Sequence, residues 1–130
     1  TGFMFGEPVN VVLVSRSEVD LEKMDAIIRV RDRVGIEVFG VSANEEGPKI
    51  TDIEAGQPIR ATFRFINTLK AGPHGVSVTL TRPPDRLGEG LITLDHIDAA
   101  AAFESLASGD QLVRGKLQVA CRVEWSRDCG

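Results

Sequence analysis

At 130 residues the chain is sized for one domain with a real core, and with 42% hydrophobic and 26% charged residues it is not expected to be disordered. A formal net charge of -4 and a pI of about 5.2, with no run of Lys or Arg, argue against nucleic-acid binding driven by phosphate neutralisation. The longest apolar runs, VVLV and AAAAF, fall far short of a bilayer span, and the opening TGFMFGEPVN lacks the basic start of a signal peptide.

In chain order, PVNVVLVSR (Pro8 to Arg16) is rich in β-branched residues and long enough for one strand. The charged segment SEVDLEKMD (Ser17 to Asp25) reads as a connection with a helical turn. AIIRVRDR and IEVFGVS follow as two strands joined at a turn that closes on Gly35. A polar loop, ANEEGP, leads to KITDIEAGQP, where Gly56 and Pro58 mark another turn.

The clearest strand is IRATFRFI, with Ile59, Ala61, Phe63 and Phe65 on one side and Arg60, Thr62 and Arg64 on the other. In VSVTLTR, Val76, Val78 and Leu80 alternate with Ser77, Thr79 and Thr81. These neighbouring segments are expected to pair with Phe65 facing Val76, which would gather Arg60, Thr62, Arg64, Ser77, Thr79 and Thr81 on one polar face. Beyond the two prolines of RPPDRLGEG, propensity alone assigns a helix to LITLDHIDAAAAFESLA. KLQVACRVEW alternates Leu117, Val119, Cys121, Val123 and Trp125 with polar residues, a further half-buried strand that places Trp125 in the core. Short alternating strands separated by frequent Gly/Pro turns predict an all-β fold, an antiparallel β-sandwich forming a single domain over residues 1–130.

The motifs of catalysis are missing. His74, placed in a loop, and His96 have no characteristic Ser or Cys partner, and no nucleophile elbow, phosphate loop or zinc-type Cys/His spacing occurs. An enzyme is therefore not expected, nor a cofactor or a metal. Two cysteines are too few for a disulfide framework, and Cys121 reads as a small core residue. The polar strand faces carry more chemistry. Arg60 and Arg64 would donate to sugar hydroxyls or grip an acidic group, and Thr62, Ser77, Thr79 and Thr81 would orient the sugar. Arg29 and Arg31 project together from their own strand and are lesser candidates. The plainer alternative is the solvent side of a half-buried sheet.

GEPVNVVLV, VRDRVGIEVFGVSA, ITDIEAGQPIRATFRF, LKAGPHGVSVTL and LDHIDAAAAFES, in this order over residues 6 to 105, resemble the carboxy-terminal domain of the ATP-binding subunit of O-antigen polysaccharide ABC exporters, the Wzt type. The resemblance implies an immunoglobulin-like β-sandwich that binds the finished polysaccharide, at its non-reducing end, before export. It implies a strand rather than a helix around Ala99 to Ser105, and a homodimer in which a terminal strand, here within Gln111 to Trp125, is exchanged. It further implies an ATPase domain in the longer parent protein, a membrane subunit as partner, and a cytoplasmic position at the inner membrane. The chain has His74 where the family usually carries an aromatic, and VSA where it carries Asn or Thr after VFG. A structural or protein-interaction sandwich without glycan binding is the rival expectation.

Overall fold

A computed structural model describes residues 2–82, 92–106 and 121–127, and in these the apolar-polar alternation becomes nine strands and one short helix. The strands are β1 (Gly2–Met4), β2 (Pro8–Arg16), β3 (Leu21–Asp32), β4 (Glu37–Ser42), β5 (Ile50–Ile53), β6 (Pro58–Ile66), β7 (Gly72–Arg82), β8 (Ile92–Leu106) and β9 (Cys121–Arg127); the helix, α1, is Ala43–Glu46. They form two sheets, a larger one in the order β1-β8-β7-β3-β4 with β5 also on β3, and a smaller one in the order β2-β6-β9. Every pairing is antiparallel except β1 with β8. The fold is a β-sandwich of the expected class.

The core lies between the sheets. From the smaller sheet come Val9, Ile59, Ala61, Phe63, Phe65 and Val123, and from the larger Ala26, Ile28, Val30, Phe39, Val41, Val76, Val78 and Phe103. Phe39 meets Phe65 across the gap, edge to face at 4.8 Å, a contact that adds to the ~1.5–3 kcal/mol gained by burying each ring.

The β3–β4 hairpin closes as its sequence predicts. Asp32 Oδ1 accepts from the Val34 and Ile36 amides, both at 3.0 Å, and Gly35 takes the positive φ of 87° that the turn requires. Several expectations fail. Residues 21–25 are strand rather than connection, because β5 pairs alongside and Leu21 and Met24 enter the core. ANEE forms a helical turn rather than a loop, held by Asn44, whose side chain donates to Met24 O and accepts from the Ile50 amide. β6 does not pair with β7: it lies between β2 and β9, while β7 lies between β3 and β8 in the opposite sheet. The alanine-rich segment is the strand β8, as the family resemblance implies and propensity does not. The expected strand start at Lys116 and the exchanged segment from Gln111 lie outside the described residues up to Cys121.

Candidate functional site

Crossing of the chain between sheets splits the eight candidate residues into two groups. Ser77, Thr79 and Thr81 of β7 point away from the core, since Val76 and Val78 point inward, and β3 adds Arg29 and Arg31 to the same outer face. In register, Thr81 lies opposite Asp25, Thr79 opposite Ile27, Ser77 opposite Arg29 and Gly75 opposite Arg31. β4 extends the face with Ser42 beside Ile27, Gly40 beside Arg29 and Glu37 beside Arg31. Arg60, Thr62 and Arg64 are on the outer face of the smaller sheet, across the sandwich.

Arg29 organises the larger face. Its Nη1 donates to Thr79 Oγ1 at 3.1 Å and its Nε pairs with Glu37 Oε1 at 3.2 Å, so the guanidinium lies along the sheet between β4 and β7. With side chains 35% and 47% exposed, the pair contributes only ~0–1 kcal/mol to stability. Its effect is positional, holding a planar donor at a fixed place over a strip of hydroxyls. At one end Asp25 accepts from the Ser42 hydroxyl and from the Asn44 amide, which ties the strip to α1. Thr81 Oγ1 is buried and has no hydrogen-bond partner among the described residues, a donor and acceptor held out of water at a cost.

Two glycines lower this face where alternation alone would place side chains. A Cβ at Gly40 would rest 3.5 Å from Arg29 Cγ, whereas one at Gly75 would meet none of the described residues within 4 Å. Open space therefore stands over the backbone at Gly75, flanked by Arg31 across the strand pair and by Ser77 along β7. Glycine inside a strand marks a bulge or a close approach, and that signal was present in FGVS and PHGVS. The face's other unassigned members, Asp25, Glu37 and Ser42, became recognisable only once β3, β4 and β7 were known to be neighbours.

His74 is not in a loop. It is buried in β7, its Nδ1 3.0 Å from Gly72 O and its ring stacked on Phe103 at 5.5 Å, so it belongs to the core. Cys121 packs against the core too. Burial, with Glu46 nearby and against a backbone hydrogen bond at Arg64, pushes its thiol up to about 11, which makes it a poor nucleophile at neutral pH. No helix among the described residues is long and apolar enough to cross a membrane.

Comparison with curated proteins finds no match. Among solved structures, the crystal structure of the C-terminal domain of Wzt is similar with a TM-score of 0.72 and 14% identity, over 82% of this chain. The chain spans 64% of that structure's chain, and at this identity the likeness is one of fold. The Wzt C-terminal domain family matches residues 1–118. With that match over most of the chain and the same sandwich beneath it, the chain belongs to the Wzt C-terminal domain family.

Proposed function

We propose that this chain recognises O-antigen polysaccharide for an ABC exporter, without catalysis of its own, and that the glycan lies on the outer face of the larger sheet. Family membership supports the exporter context. The observation that carries the site is the open backbone at Gly75 beside Arg29, Arg31, Ser77 and Thr79. A sugar ring needs room against the sheet and planar donors beside it, and this face offers both, with Ser77 and Thr79, 4% and 9% exposed, at its floor. Arg60, Thr62 and Arg64, on the other sheet, are too far round the sandwich to touch the same sugar. In this reading the parent protein is an ATPase, the domain works on the cytoplasmic side of the inner membrane beside a membrane subunit, and the domain pairs with a second copy, with β9 as the strand available for exchange.

Titration calorimetry against the O-polysaccharide of the source strain, with an unrelated polysaccharide as control, tests the reading. The expected result is selective binding, lost or weakened at least ~10-fold, about 1.4 kcal/mol, in Gly75→Val and in Arg29→Ala. Gly75→Val is the cleaner variant. A Cβ there meets none of the described residues within 4 Å and the residue lies outside the positive-φ region, so a β-branched residue there keeps the strand while filling the sugar's space. Unchanged affinity in a folded Gly75→Val chain would move the glycan off this face. No binding by the unsubstituted chain would favour the protein-interaction alternative.

A further inference from the structure

The smaller sheet carries a different chemistry. Register sets Asn10 of β2, Arg64 of β6 and Arg122 of β9 side by side in one row on its outer face. Arg64 and Arg122 are thus directly opposed on neighbouring strands, an arrangement of like charges that weakens a sheet. Among the described residues no carboxylate pairs with either one. Glu124, the next outward residue of β9, stands opposite Thr62, and Arg60, two positions further along β6, is otherwise engaged. A cavity of about 350 Å³ opens at the pair, lined by Arg64, Phe65, Ile66, Cys121 and Arg122.

We infer that Arg64 and Arg122 form a binding site for a phosphate group, separate from the glycan face. Two guanidinium forks whose Cβ atoms stand ~5 Å apart can converge on one tetrahedral oxyanion, each giving two parallel N–H bonds. A phosphate monoester, at about -1.5 to -2 charge, balances both cations, whereas a carboxylate balances one. Asn10 adds a neutral donor on the β2 side, and Ile66, 48% exposed, offers an apolar wall to the ester's carbon. The Cys121 thiol, protonated at neutral pH, adds no charge of its own, which leaves Glu46, whose charge acts on that thiol, as a negative charge the two arginines must outweigh.

The test uses nitrogen-15 NMR of the arginine side chains in the intact chain, with inorganic phosphate added at constant ionic strength. Saturable shifts at Arg64 and Arg122 in the ~1–10 mM range, lost at Arg64 in Arg122→Gln, are expected. Acetate at the same concentration should act at least ~5-fold more weakly. Thermal melts give a second reading: phosphate should raise the midpoint of the unsubstituted chain by ~1–3 °C and leave an Arg64→Gln/Arg122→Gln chain unmoved. A sugar 1-phosphate binding more tightly than inorganic phosphate would identify a glycan phosphate as the source; retention on vesicles containing phosphatidic acid, a phosphate monoester, dependent on both arginines, would identify a lipid phosphate. Unsaturable shifts, equal effects of acetate and phosphate, or phosphate stabilisation that persists in the double variant would overturn the site. Because Gly75→Val touches only the other sheet, it should leave phosphate binding intact, so the two readings fail independently.

Discussion

Asn67 shows how much one polar side chain can hold in a core. It is fully buried, and its Nδ2 donates to Phe3 O and Met4 O at 3.1 Å each and to Ser105 Oγ at 2.9 Å, while its Oδ1 accepts from the Leu69 amide. Ser105 passes the network on to Leu69 O. One residue thereby fastens β1, β8 and the turn leaving β6. Asn67→Ala would leave buried carbonyls and an amide without partners, and urea unfolding should show a loss of about 2–4 kcal/mol; a loss below about 1 kcal/mol would mean that water replaces the side chain. Cys121 is a quieter case. In a Cys129→Ser background, iodoacetamide should label the folded chain slowly at pH 8 and quickly only as the pH nears 11. The unfolded thiol ionises first, near its ordinary value of 9.0, so the thiol's contribution to stability is full below that pH and is lost as the pH climbs toward 11.

At the scale of elements, what the sequence made legible was each strand's own alternation, and what it hid was which strand lies beside which. Pro8–Arg16 and the turn at Gly35 could be read directly, because β-branched runs and a positive-φ glycine act within a few residues. The β6–β7 pairing could not. Consecutive strands often pair, yet here Asn67 to Ala71 carries the chain across to the opposite sheet. A sign of the true arrangement is that Ser77, Thr79 and Thr81 are nearly as buried as Val76 and Val78, at 4%, 9% and 4% exposed. Flanking strands on both edges and the Arg29 side chain bonded to Thr79 shelter these short side chains, while the face stays open at Gly75. β8 misled in the other direction. Ala99 to Ala102 favour a helix in isolation, but pairing with β7 and β1, with Phe103 and Ser105 turned inward and Glu104 outward, overrides a preference of a few tenths of a kcal/mol per residue. The candidate site suffered from the same gap: its residue types were visible, but their partition onto two sheets depended on long-range pairing.

For the whole molecule, the decisive joint is β9, because it completes the smaller sheet and also touches the loops of the larger one. Val123 is buried, Trp125 packs on the core, and Arg127 stacks over Trp125 at 5.2 Å while donating to the carbonyls of Thr51 and Asp52 in β5. Gly47, just after α1, approaches so closely that a Cβ there would stand 2.4 Å from Val123 O. No real contact of that kind survives, and the obstacle is backbone rather than a flexible side chain, so α1 and β9 would have to separate. Gly47→Ala is therefore expected to cost about 1–3 kcal/mol, even though its extended φ of -149° suits alanine. The loss should be uneven. Hydrogen exchange should show amides of β9 and of the β6 edge facing it losing protection, while the β3–β4 hairpin keeps its own. The same result is expected whether β9 comes from its own chain or from a second copy, since either must pass Gly47. Uniform loss across both sheets would instead mean that the sandwich unfolds as one unit and that β9 is not its separable joint.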